Sequence, residues 1–201
     1  MAELMVDLIT SLDGYASAEG WPGWWGLEGP EYLGWLEALP EKDHVVLMGA
    51  TTYRVMSQMS AEAATEGQHE YRPQEAESLT GLDAMSKVVF SSTLTEPLAW
   101  PNTRLVSTDA VEAVRAMKAE STAPLTTLGS ISLTRALLSA GLVDRFRLVV
   151  FPVITGATGA DRVYDGYPDV ALELIESRTF DGRSQLLHYR PTVLDRPPGQ
   201  G

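Results

Sequence analysis

The stretch LTTLGSISLTRALLSAGLVDRFRLVVFPVITG, Leu125 to Gly156, constrains this chain more than any other part of it. It reads as a strand, a glycine turn, a helix and a second strand that runs into Pro152 and Gly156. Leu133, Leu137 and Ala140, spaced i, i+4, i+7, give the helix an apolar face. A strand that breaks at a glycine and opens a helix leaves the first-turn N–H groups free. The helix dipole then favours negative charge at that end. Such a junction can hold a phosphate, and so a nucleotide.

A second junction of the same kind occurs at Gly49-Ala50-Thr51-Thr52, after the buried-type strand His44 to Met48. Together with Gly129-Ser130-Ile131-Ser132 it can hold or flank a pyrophosphate. The alternative is that Gly49 and Gly129 only permit tight turns while Thr52 and Ser132 cap helices. A hydroxyl cluster, Ser91-Ser92-Thr93, follows the strand Lys87 to Ser91. Strand ends are where ligands bind in α/β sheets, so it can approach the ribose or adenosine phosphate; the alternative is a plain polar turn.

The rest of the chain alternates strand and helix. Leu4 to Thr10 is a strand. Ser11 to Gly29 reads as a loop, with five glycines and the tryptophans Trp21, Trp24 and Trp25. Pro30 suits the first turn of a helix bearing Tyr32, Leu33, Leu36 and Leu39. Residues 57–86 form a polar, acidic excursion. Thr103 to Ser107 is a short strand, and Asp109 caps a helix. Asp181-Gly182 joins two final strands, Leu172 to Phe180 and Ser184 to Arg190, as a hairpin. The expected fold is α/β: one domain over residues 1–191, a mixed, mostly parallel sheet flanked by helices and closed by an antiparallel hairpin, with a disordered tail at 192–201.

The sequence also excludes chemistry. There is no cysteine, hence no disulfide, thiolate ligand or cysteine nucleophile. GxGxxG, GxxxxGK[ST] and GxSxG are absent, so a standard Rossmann fingerprint, a P-loop and a serine-hydrolase elbow are not expected. His44, His69 and His188 lack metal-ligand spacing and read as structural or surface residues; no metal is expected. The net charge of −12 disfavours nucleic acid and anionic membranes as partners. The N-terminus has no signal-peptide pattern, and no apolar run approaches a membrane span, so a cytoplasmic location is expected.

Two further candidates lie near the first strand. Asp13, in Ser11-Leu12-Asp13-Gly14, is a pocket acid or an ordinary turn residue. The tryptophans of the glycine-rich loop either stack on a flat heteroaromatic ring or staple the loop to the core or to a second subunit.

Four stretches, in this order, resemble one family: SLDGYAS at Ser11 to Ser17, VLMGATTY at Val46 to Tyr53, KVVFSSTL at Lys87 to Leu94, and Leu128 to Gly156 with its GLVD and P-V-x-x-G elements. The family is the dihydrofolate-reductase-like superfamily, in the branch of the C-terminal reductase domain of the bifunctional riboflavin-biosynthesis protein. The resemblance implies a dihydrofolate-reductase-like fold that binds NADPH, with Gly49, Ala50, Thr51 and Thr52 at the phosphates. It places Ser91, Ser92 and Thr93 towards the adenosine, and Gly129, Ser130 and Ile131 at the pyrophosphate and nicotinamide side. Trp24 and Trp25 would lie on the loop over the nicotinamide, with Asp13 as the catalytic acid and Glu31 as an alternative substrate contact. Ala50 replaces an arginine that commonly grips the 2′-phosphate of NADP, which leaves NADH open; Arg54, Arg104 or Arg115 could compensate. The implied activity is reduction of a small heterocyclic or ribosylamino substrate, such as 5-amino-6-(5-phosphoribosylamino)uracil, by a homodimer. A non-catalytic ligand-binding protein and a true dihydrofolate reductase are the alternatives.

Overall fold

The computed structural model describes residues 1–20, 25–64 and 73–197. Trp21, Trp24, His69 and the last four residues lie outside the described residues.

Period-2 burial of the central strands builds the molecule. In β1 (Leu4–Ser11), Leu4, Val6 and Leu8 join one core cluster, while Ile9 packs into another on the opposite face. In β3 (Val45–Gly49), Leu47 goes to the first face and Val46 and Met48 to the second. In β7 (Arg145–Phe151), Phe146 and Leu148 take the first face, Val149 and Phe151 the second. Buried on both faces, these strands carry the near-continuous apolar runs of a covered parallel sheet.

The remaining strands of this sheet are β4 (Lys87–Phe90), β5 (Thr103–Val106), β6 (Leu125–Thr127), β9 (Val170–Phe180) and β10 (Ser184–Val193). The order is β5-β4-β3-β6-β1-β7-β10-β9, parallel as far as β7 and antiparallel in the last two pairings. Helix α4 (Ala110–Glu120) contributes Val114, and α5 (Ile131–Ser139) contributes Leu133, Leu137 and Leu138, to the cluster that holds Leu4, Val6 and Leu8. Asp109 caps α4 by accepting from Glu112 N at 3.0 Å. On the other face, α1 (Pro30–Glu37) packs Tyr32 and Leu33 on Val149 and Phe151, and α2 (Ala50–Ala63) packs Tyr53 beside Trp100.

The α/β architecture with its closing hairpin agrees with the sequence reading, and Asp181 and Gly182 take the positive φ angles, 51° and 65°, that a tight hairpin turn needs. Three segments differ from it. The Ser11–Gly29 stretch contains a strand, β2 (Tyr15–Ala18), which pairs antiparallel with β8 (Gly159–Arg162). Neither YASA nor GADR alternates in hydropathy, so the pairing exists only because the fold brings two loops together. Where it is described, the polar excursion at 57–86 is mostly helical: α2 continues to Ala63, and α3 spans Pro73–Ala84. Good helix formers carry both helices with little apolar patterning. Lys87 Nζ donates to the carbonyls of Leu82, Asp83 and Met85, which satisfies the end of α3. Finally, β10 runs to Val193, so Thr192 and Val193 belong to the sheet and not to a tail. Among the described residues no helix is long and apolar enough to cross a membrane.

Candidate functional site

The parallel register sets the ends of β3 and β6 side by side. Gly49 closes β3 and precedes α2; Gly129 and Ser130 link β6 to α5. One hydroxyl ties the two junctions together. Ser130 Oγ accepts from Gly49 N at 2.7 Å and lies 2.7 Å from Thr52 Oγ1. Gly129 (φ 55°) and Ser130 (φ 64°) are both left-handed, and for serine that conformation costs about 1 kcal/mol. That local strain directs Ser130 across to the neighbouring junction and away from its own helix. Neither helix start has a side-chain cap, so the first-turn N–H groups of α2 and α5 have no capping side chain. Gly49 to Thr52 and Gly129 to Ser132 all line one cleft of about 1600 Å³. The arrangement suits an anion long enough to touch both helix starts.

Ser91, Ser92 and Thr93 follow Phe90 of β4, which is in register with Gly49, but none of the three lines the cleft. Ser91 Oγ accepts from Thr93 N and Leu94 N at 3.1 Å each, which holds the turn, and Ser92 and Thr93 are exposed. None of the three arginines that could replace the family cation lines the cleft. Arg54 is exposed on α2, Arg104 contacts Met117 Sδ, and Arg115 pairs with Glu112.

The acidic candidates have other work. Asp13 is not a cleft-lining residue: its carboxylate accepts from Ser11 Oγ (2.7 Å), Thr155 N (3.2 Å) and Gly156 N (3.0 Å). The Ser11 hydrogen bond, more than the backbone ones, holds it below the usual carboxylate range. A carboxylate so stabilised in its ionised form is a poor proton donor. Its role is to clamp the S-x-D-G turn onto the P-V-x-x-G segment. Glu31 is likewise absent from the cleft lining; its Oε2 accepts from Asp181 N at 2.6 Å, while Asp181 accepts from Glu31 N and Tyr32 N. The pair forms a reciprocal cap on α1, built across the chain. Trp25 packs against the Tyr32–Phe151–Phe180 cluster, which is the stapling role; Trp24 lies outside the described residues.

A polar group that the sequence reading did not single out occupies the sheet face of the cleft under α1. Asp7 of β1 and Arg147 of β7 are in register, and Arg147 Nη2 donates to Asp7 Oδ2 at 2.7 Å. Arg147 Nη1 donates to Glu41 Oε1 at 2.6 Å, and the guanidinium lies 5.0 Å from the centre of the Trp35 ring. Burial opposes the charge of Arg147, but Asp7 and Glu41 outweigh it and hold the guanidinium above its usual range. Tyr32 beside it is pushed up, mainly by burial and next by Asp7. His44 and His188 flank the group, and burial lowers both, so they stay neutral near pH 7. Asp7, Tyr32, Trp35, Glu41 and Arg147 line the same cleft as the glycine junctions. The signal was present in the sequence: LMVDLIT and RFRLVVF each place a charge inside an otherwise apolar strand.

The cleft at the carboxyl ends of parallel strands, with two bare helix starts on one side and an aromatic, ionised wall on the other, belongs to a dihydrofolate-reductase-like α/β domain. The model of the RibD C-terminal domain matches residues 2–186, and the chain belongs to that family. Three solved structures share the fold. A protein assigned to riboflavin biosynthesis from Shewanella sp. PV-4 is 18% identical with TM-score 0.67, over 96% of this chain and 99% of that one. A diaminohydroxyphosphoribosylaminopyrimidine deaminase/5-amino-6-(5-phosphoribosylamino)uracil reductase of Thermotoga maritima is 16% identical with TM-score 0.63; the match takes in 95% of this chain and only 57% of that one. A pyrimidine reductase-like protein of Corynebacterium diphtheriae is 17% identical with TM-score 0.59, over 95% and 92%. No curated protein sequence matches the chain at a significant level.

Proposed function

We propose that the chain is a reductase that takes hydride from a nicotinamide dinucleotide, NADPH or NADH, and reduces a C=N or C=O bond of a small heterocyclic or ribosylamino substrate. The observation that carries this reading is the pair of uncapped helix starts joined by Ser130. Family membership and the printed activity of the Thermotoga maritima relative support it.

The residues present fit a dinucleotide. A Cβ at Gly49 or Gly129 would sit at ordinary contact distance from the other junction's side chain, but Gly129 (φ 55°) holds a left-handed conformation that glycine adopts without strain. The free N–H groups of α2 and α5 would bind the pyrophosphate, and the Ser91–Thr93 turn would border the adenosine. The bound nicotinamide supplies the hydride; the protein's part is to orient it, exclude water and hold the substrate opposite. The three hydrogen bonds of Asp13 disfavour it as the proton source, and water takes that role.

A thermal shift tests the cofactor. At a hundred times its Kd either dinucleotide stabilises by about 2.7 kcal/mol, a rise in Tm of roughly 5–10 °C for a chain of this size. With no cation on α2 inside the cleft, NADPH and NADH are expected within about fivefold of one another in Kd, since no charge-assisted bond favours either. Ala50→Arg shifts the ratio towards NADPH by about tenfold, the worth of one such bond. Silence with both nucleotides sinks the assignment.

A homodimer would use the β9–β10 hairpin. β9 is the sheet's edge strand and exposes Leu172, Leu174 and Ile175, next to Val193 of β10. A bare apolar edge calls for cover. Sedimentation equilibrium is expected to give a dimer, and Leu174→Lys a monomer; a monomeric unmodified chain rejects the placement.

A further inference from the structure

The Asp7–Arg147–Glu41 group has more polarity than the fold uses. Arg147 has only 6% of its side chain exposed, with both Nη atoms committed to carboxylates. Its Nε, and Oε2 of Glu41, are buried without a hydrogen-bond partner. Asp7, with 29% of its side chain exposed, opens onto the cleft. Two carboxylates hold the one guanidinium of this wall, which is thereby spent, and Asp43 lines the same cleft. With His44 and His188 neutral, the wall is net negative.

Beside this charge stand flat rings. Trp35 stacks with Tyr32 at 5.9 Å between centroids and 29° between planes. The wall is also close to the dinucleotide cradle. Asp7 N donates to Thr127 Oγ1 at 3.1 Å. Gly129 follows two residues later, roughly 7 Å at the rise of an extended chain.

Resting on the reductase reading, we propose that this wall is the substrate-recognition site and that it takes a planar nitrogen heterocycle presenting adjacent N–H donors to Asp7, without a phosphate. A carboxylate accepts two parallel N–H bonds from an amidine-like edge, strengthened by charge. A flat ring fits against Trp35 and Tyr32. A phosphoribosyl group meets the wrong sign here, because the cation that would bind it is neutralised twice over. Of the charged residues lining the whole cleft, six are acidic and three basic; besides Arg147 the bases are Arg162, paired with Asp165, and Arg135, which donates to the Asp165 carbonyl. The chemistry separates this chain from substrates that carry a ribose phosphate and assigns it an unphosphorylated one.

Isothermal titration of the full chain, without nucleotide, tests this with four probes: 2,4-diaminopyrimidine, uracil, orotate and ribose 5-phosphate. The expected order has 2,4-diaminopyrimidine tightest, at least tenfold tighter than orotate and ribose 5-phosphate, with uracil between. Asp7→Asn, checked for folding by circular dichroism, weakens 2,4-diaminopyrimidine at least tenfold and leaves uracil within about threefold, because only a charged acceptor distinguishes the two rings. Orotate or ribose 5-phosphate binding as tightly as 2,4-diaminopyrimidine overturns the proposal, and so does the absence of heat with all four. The probe series on the unmodified chain stands even if the variant does not fold. Failure of the reductase reading shows separately, as binding of the ring with no thermal shift from NADPH or NADH.

Discussion

Arg147→Met is expected to destabilise the chain by roughly 3–5 kcal/mol, the usual loss when one partner of a buried ion pair is removed. Asp7 and Glu41 would keep their charge inside the cleft wall with nothing opposite, and Trp35 would lose its cationic neighbour. For a chain of this length the drop in Tm is on the order of 10 °C. The informative comparison is the triple change Asp7→Leu, Glu41→Leu, Arg147→Met. An ion network replaced whole by apolar groups of similar volume is often neutral or stabilising. The triple variant is therefore expected to recover most of the loss, in chemical denaturation monitored by tryptophan fluorescence. Recovery of stability together with loss of heterocycle binding would mean that the network is kept for the ligand. A triple variant as unstable as the single one would make it a structural requirement of β1 and β7 instead.

The same network shows where sequence reading stops. Asp7, Glu41 and Arg147 come from three separate segments, and nothing local says that they meet. Only the pairing of β1 with β7, and the short turn after α1, bring them together. Glu31 misled for a related reason. It lies in the first turn of a helix near the site, but its partner Asp181 is a hairpin residue near the other end of the chain. Asp13 was placed correctly after the first strand, yet its three donors come partly from Thr155 and Gly156. What was legible is what local chemistry dictates. A glycine at a strand end permits the turn, Asp109 caps its own helix, and Asp181-Gly182 reverses the chain. The β2–β8 pairing escaped because neither strand has a pattern of its own to show. The glycine junctions were legible one by one, whereas their union through Ser130 was not, since it depends on β6 lying next to β3.

That union yields the second large effect. Ser132→Glu is expected to have opposite consequences for the protein and for its ligand. Ser132 is the second residue of α5; it is exposed and lines the cleft. A carboxylate in the first turn of a helix interacts favourably with the dipole, by about 0.3–1 kcal/mol, so the unliganded chain should melt no lower than the parent and up to a few degrees higher. The same carboxylate would occupy the space where a pyrophosphate meets the free N–H groups. Two unit charges about 4 Å apart near a protein surface repel by about 4 kcal/mol, less when salt screens them. Dinucleotide affinity should therefore fall by roughly thirtyfold to a hundredfold, equivalent to about 2–3 kcal/mol. Ser132→Gln, of the same shape without the charge, should lose only a few-fold, and the gap between the two should narrow as salt is raised. Nucleotide titration by fluorescence, with melting curves on the same samples, measures both sides. A variant that melts higher and still binds NADPH and NADH as the parent does would show that the pyrophosphate does not sit at α5. A variant that loses both stability and binding would show that Ser132 supports the fold. Only the combination of a stable helix and an expelled dinucleotide fits an anion held between the starts of α2 and α5.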